Sequence, residues 1–196
     1  MRLGVVPGDF GDNLDVPDLG PGATLYVRAN DVRTSADGAH LYIGDGHYAQ
    51  GDGEVAGTAI EGAFNTTLVA DIATPDPDFD WPRLETDTHI GVIGAARPAE
   101  DAARIAVAGL VCWVARLRGL GIMDAHQLVS QSCRLRTGNL VNPAFTLLCH
   151  KPKAVLGPSS VTDLTRAGPS PLGITRASTL SWRKTGTWPP ARSGSR

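Results

Sequence analysis

The chain has 196 residues, 42% of them hydrophobic, and a formal net charge of −2. That length and apolar content suffice for one packed domain and exclude wholesale disorder, while the near-neutral charge argues against a general nucleic-acid binder. Glycine (23) and proline (14) are abundant and aromatic residues sparse, which favours short strands joined by turns over a helical bundle.

The first residues, MRLGVVPGDFGDNLDVPD, lack the apolar core of a signal peptide, and no window approaches the ~20 apolar residues that cross a bilayer. The expectation is a cytoplasmic protein with neither membrane nor nucleic acid as a partner. ATLYVRA (23–29), AHLYIG (39–44) and GAFNTTLVADI (62–72) read as strands, bounded by Gly, Pro, Asp and Asn. The proline-rich ATPDPDFDWP then separates this part from the next. Residues 97–118 are predicted to be a helix. Pro98 suits the first turn, Glu100 and Asp101 face the positive end of the dipole, Arg116 and Arg118 lie at the other end, and Gly119 and Gly121 stop it. Its buried stripe is expected to be Ala103, Val107, Leu110, Val111, Val114 and Leu117, with Trp113 off the stripe and touching another element. A second helix is predicted with Asp124 as N-cap and Ala125 to Cys133 as body, followed by a strand in AFTLLCH (144–150). The fold class is α+β: β-rich, with sandwich-like sheets and two helices in the C-terminal part.

From Gly157 onward one acidic residue, Asp163, stands against six Arg and Lys, and Ser, Thr, Pro and Gly dominate. This segment, 157–196, is read as a basic disordered tail behind a domain of residues 1–156. Cys112, Cys133 and Cys149 match neither a disulfide framework nor a zinc pattern and read as reduced thiols. A thiol nucleophile is discounted, because Cys149 and His150 are strand neighbours that point to opposite faces and Cys112 lies in an apolar helix.

The stretch GDGHYAQGDGEVAGTAIE (44–61) is the chemically richest. In an extended chain Asp45 and His47 share one face; further on, Gln50, Asp52 and Glu54 share one, with glycines opposite. Three carboxylates and an imidazole can supply a hard or borderline divalent cation, which would polarise a carbonyl while a remaining carboxylate takes a proton. The same residues also suit a soluble pair of Asp-Gly turns with no site at all.

That stretch resembles the signature of the acetamidase/formamidase family, a run like GDxHxAQGDGEVxGTAIE. GDNLDVPDLGPGATLYV, ETDTH, AEDAARIAVAGLVCWV, CRLRTGNLVNP and HKPKAVL are similar to further segments of the same family, so that the likeness spans residues 8 to 156. The resemblance implies hydrolysis of short carboxamides to carboxylate and ammonia, a β-rich α+β architecture, a divalent ion (zinc or calcium), a small amide substrate and a homo-oligomer. Carried over by position, it implies Asp45, His47 and Asp52 as metal ligands, Glu54 as base or further ligand, Gln50 as a hydrogen-bonding partner of the substrate amide, and His89 as a further candidate catalytic residue. Against the family pattern the chain is expected to be a truncated member lacking much of the N-terminal half. The connection before the signature is longer and more polar, and Arg134 stands where an acidic residue is usual. A non-catalytic remnant or interaction module of the same family is the alternative reading.

Overall fold

Strand and helix order in the computed structural model, which describes residues 4–28, 43–44, 46–73, 76–156 and 177–184, follows the β-rich α+β expectation. The elements are β1 (Thr24–Arg28), β2 (His47–Ala49), β3 (Ile60–Glu61), β4 (Thr66–Ala73), β5 (Arg83–Glu85), β6 (His89–Ala96), α1 (Ala99–Arg118), α2 (Ile122–Ser132), β7 (Arg134–Thr137), β8 (Phe145–Pro152) and β9 (Ala177–Lys184). Seven strands form one antiparallel sheet in the order β4-β9-β1-β5-β6-β8-β7, and β2 with β3 makes a separate small hairpin. The expected strand at 39–44 lies outside the described residues, apart from Ile43 and Gly44. Among the described residues no single helix is long and apolar enough to cross a membrane.

β6 is covered on both faces: all six of its interior residues are buried. Ile90 and Val92 join the helices in one core with Leu110, Val114 and Val129, while Ile93 points the other way into a second core with Leu14, Val16, Leu25, Leu84 and Leu148. A strand buried on both faces shows no polar alternation, which is why HIGVIGAA does not announce itself in the sequence. Helix α1 sits so close to β6 that a Cβ added at Gly94 would lie 2.2 Å from the carbonyl oxygen of Ala102 and 2.9 Å from the amide nitrogen of Ala106.

Helix α1 ends as expected, with Gly119 in the left-handed region (φ 61°) and the Leu120 N–H donating to the Ala115 carbonyl at 2.9 Å. Its buried face, however, is Ala102, Ala106, Leu110, Val111, Trp113 and Val114. The helix is rotated from the expected stripe because Trp113, 1% exposed, is its anchor. The indole stands edge-on to Tyr26 of β1 (centroids 6.2 Å apart) and under the Arg83 guanidinium at 4.9 Å. Helix α2 starts at Ile122 after an extended Gly121, so Asp124 lies in its first turn and is not the cap.

Of the segment read as a tail, the structure describes residues 177–184. They form β9, inserted between β1 and β4 with Leu25 opposite Leu180 and Leu68 opposite Trp182. Leu180 and Trp182 alternate with Thr179, Ser181 and Arg183, a period of two too short to stand out in a polar segment.

On the helix side of the sheet, Lys151 of β8 is 0% exposed and its Nζ has no hydrogen-bond partner among the described residues. Burial lowers its pKa from the ordinary 10.5.

Two predictions follow the packing. Gly94→Ala forces α1 off the sheet and is expected to cost roughly 1–3 kcal/mol in urea unfolding, whereas Gly20→Ala, whose added Cβ meets nothing within 4 Å, leaves the midpoint unchanged. Lys151→Met removes an orphaned buried donor and is expected to add about 1–3 kcal/mol near neutral pH. In the parent the unfolded chain binds the Lys151 proton more tightly, so stability rises as pH climbs from the lowered folded-state pKa towards 10.5. The Met variant should lose that rise in the pH dependence of its unfolding midpoint.

Candidate active site

The hairpin β2–β3 pairs His47 directly with Glu61, so their side chains emerge side by side. His47 Nε2 lies 3.4 Å from Glu61 Oε2. The connecting loop turns twice, with the Glu54 N–H bonded to the Gly51 carbonyl at 3.1 Å and the Gly57 N–H to the Glu54 carbonyl at 2.8 Å. Glycines at positive φ, Gly53 (88°) and Gly57 (74°), permit those turns, and Glu54 itself is held at φ 44°. The outcome is a Glu54 only 9% exposed, folded back toward His47. One ligand atom from each of His47, Glu54 and Glu61 lies within 4.8 Å of the others.

Gln50 locks the imidazole. Its Oε1 is 2.9 Å from His47 Nδ1, and its Nε2 donates to the carbonyls of Asp15 (2.5 Å) and Gly138 (3.0 Å). With both ends of its amide engaged, Gln50 fixes the His47 tautomer, Nδ1–H toward Gln50, and leaves Nε2 facing the carboxylates.

The electrostatics concentrate acid around one base. Glu54 has its pKa raised from 4.5, first by burial and then by the Asp15 carboxylate, with His47 opposing. For His47 burial disfavours the imidazolium, but the bond to Gln50 and the charges of Glu61, Asp15 and Glu54 outweigh it and raise the pKa above 6.5. One imidazole nitrogen and two carboxylates that repel each other are a donor set suited to a divalent ion of hard or borderline character.

The remaining candidates fall elsewhere. Asp45 lies outside the described residues. Asp52 turns outward, its Oδ1 accepting from Arg136 Nε at 2.6 Å, and the same guanidinium reaches Asp18 through Nη1 at 2.8 Å. His89 stands at the start of β6, its Nδ1 2.8 Å from Thr88 Oγ1, in a cavity of about 290 Å³ to which no member of the His47 cluster contributes. The sequence reading missed Glu61, the last residue of the signature, and Asp15 of GDNLD. Glu61 was legible from the hairpin register opposite His47, whereas Asp15 arrives only through the tertiary fold.

Comparison with known proteins adds the following. The profile of the Acetamidase/Formamidase family matches residues 3–76. The acetamidase of Yersinia enterocolitica superposes with a TM-score of 0.64 at 36% identity, covering 79% of this chain and 45% of that one. The chain belongs to the acetamidase/formamidase family. An acetamidase from Bacillus halodurans gives a TM-score of 0.62 at 31% identity, covering 76% of this chain and 48% of the other. A recombinant predicted acetamidase/formamidase from Thermoanaerobacter tengcongensis, at 22% identity and a TM-score of 0.61 over 78% of this chain and 49% of that one, shares the fold. The chain thus spans about half the length of these family members. No curated protein matches.

A pH dependence follows from the cluster. His47 and Glu54 both hold their protons more tightly folded than unfolded, so their contribution to stability is fully present at low pH and is lost as pH rises through the folded-state values. Metal-stripped parent protein should therefore lose stability relative to the His47→Ala/Glu54→Gln double variant as pH rises above the ordinary values of 4.5 for Glu54 and 6.5 for His47 and through their raised folded-state values. Thermal unfolding of both proteins across that range checks the sign.

Proposed function

We propose that the chain hydrolyses short carboxamides of the formamide and acetamide class to carboxylate and ammonia, assisted by a divalent cation. The observation that carries this reading is the convergence of His47, Glu54 and Glu61 within 4.8 Å in a chain of this family. His47 through Nε2 and Glu61 through its carboxylate hold the cation, with Asp45 as a further ligand. When bound, the ion polarises the amide carbonyl and makes water more acidic.

Glu54 is the general base. Its carboxylate takes a proton from water as the water oxygen attacks the amide carbon, then returns that proton to the nitrogen so that the C–N bond breaks and ammonia leaves. Burial and the neighbouring Asp15 raise its proton affinity above that of an ordinary carboxylate, which suits a group that must both accept and return a proton. Gln50 acts through His47, bonding Nδ1 so that the opposite nitrogen, Nε2, faces the ion. Asp52 is held by Arg136 and braces the loop from outside.

In an ammonia-release assay on formamide or acetamide, Glu54→Gln is expected to lower turnover by about 10²–10⁴. Absence of turnover in folded, zinc- or calcium-loaded parent protein would overturn the reading in favour of a non-catalytic module. Gln50→Ala should weaken metal binding by about 10–100-fold through loss of ring orientation. Equilibrium dialysis measures that loss, and unchanged affinity would remove Gln50 from the site.

A further inference from the structure

Helix α2 passes into β7 at Cys133, and this corner brings a thiol and an amine onto one face. The Cys133 N–H closes the helix on the Val129 carbonyl at 2.8 Å, while its own backbone is already extended (φ −78°, ψ 162°). From the next residue the antiparallel register runs Arg134 opposite His150 and Leu135 opposite Cys149. One step back, Cys133 falls opposite Lys151, and directly opposed side chains share a face with Cβ atoms about 4.5–5.5 Å apart. That face is the helix side. Cys133 packs on the core that holds Ile90 and Cys149, and Ile90 is the register partner of Lys151 on its other flank.

The two groups are complementary in access and in chemistry. Cys133 is half-buried, so a small oxidant reaches its sulfur from solvent. Lys151 is 0% exposed, and its Nζ has no hydrogen-bond partner among the described residues. Burial favours the neutral amine, whose nitrogen carries a lone pair, with the Cys133 charge opposing. Cys149 also adjoins Cys133, but burial holds the proton on its sulfur and leaves a poor nucleophile. Of these two neighbours, the amine is the one equipped to attack an oxidised Cys133.

We propose that Cys133 and Lys151 form an oxidative modification site, in which peroxide converts the pair into a reversible S–N cross-link. The Cys133 sulfur attacks one peroxide oxygen, the O–O bond breaks, and the departing hydroxide leaves as water with the thiol proton. Sulfur is oxidised to a sulfenic acid and peroxide is reduced. The Lys151 nitrogen then attacks that sulfur. The S–N bond forms, the S–O bond breaks, and the hydroxyl leaves as water with a proton from the nitrogen. An external thiol restores both side chains and is itself oxidised to a disulfide. The link pins the start of β7, the strand that leads to Arg136 and Gly138.

Hydrogen peroxide treatment of the folded full-length protein, followed by tryptic digestion without reductant, tests this. The inference does not rest on the amidase reading. The peptides carrying Cys133 and Lys151 should be recovered joined, lighter than their sum by the hydrogen pair lost, and dithiothreitol should separate them. The second peptide also carries Cys149, so variants identify the bond. The link should persist in Cys149→Ser and disappear in Cys133→Ser and in Lys151→Met, a variant expected to fold more stably than the parent. Cross-linked parent protein should also lose the rise in unfolding midpoint that accompanies the lowered Lys151 pKa. A link that survives in Lys151→Met and vanishes in Cys149→Ser would overturn the proposal, because it would be a Cys133–Cys149 disulfide. Recovery of the two peptides unjoined from oxidised parent protein would overturn it as well.

Discussion

The carbonyl oxygen of Gly138 accepts the Gln50 side chain at 3.0 Å and the Gly53 N–H at 3.0 Å, and the candidate site depends on this one atom. Gly138 is also where three segments meet. A Cβ there would collide with Thr146 Oγ1 at 2.2 Å and with the Leu14 carbonyl at 2.8 Å, so only glycine lets the N-terminal segment close over the β7–β8 turn. The next residue, Asn139, is 0% exposed and donates through Nδ2 to the Asn13 carbonyl at 3.3 Å and to Asp15 Oδ2 at 3.2 Å. Thr146 Oγ1 completes the joint by donating to the Leu14 carbonyl at 2.8 Å. A rigid sheet edge thereby positions two loops that have little regular structure of their own, which is how a loop site acquires defined geometry.

The two faces of the sheet divide the work. The helix face is buried and mostly apolar, with Lys151 and Arg83 enclosed in it; there the Cys149 thiol is pushed upward by burial, and further by Cys133, into an inert range. On the other face Leu14, Val16 and Ala23 pack with Leu25, Ile93 and Leu148, while Asp18, His89 and His150 line a cavity. Adjacent positions on β8 show the division directly: Cys149 belongs to the helix-side core and His150 lines the cavity.

What the sequence made legible follows from how local each cause is. Helix α1 was readable because its charged ends and Gly119 act within a few residues, and β1, β4 and β8 because β-branched or aromatic residues cluster in them. Leu110, Val111 and Val114 of the expected α1 stripe are buried, but Ala102, Ala106 and Trp113 take the other buried positions because Trp113 is held by Tyr26 and Arg83, far away in sequence. β6 was hidden by its glycines and alanines, which serve the close approach of α1. At the site, His47, Gln50 and Glu54 were visible in one quoted line. Asp52 looked equivalent to them, but its partner Arg136 lies 84 residues on, and no spacing rule reaches that far. Asp15 was hidden for the same reason, since it is carried to Glu54 by the Gly138 joint.

The backbone of Glu54 carries one more implication. The described non-glycine residues at positive φ are Asn13 (50°), Asp15 (46°) and Glu54 (44°), all three at or beside this site. Asn and Asp tolerate the left-handed region by bonding locally, but a glutamate gains nothing comparable, and the strain there is of order 1–3 kcal/mol. Glycine at position 54 would be the better residue for the loop alone. If Glu54 is the general base proposed above, a lineage released from selection for chemistry would drift toward Gly or Asn at this codon, which relieves the strain of the loop.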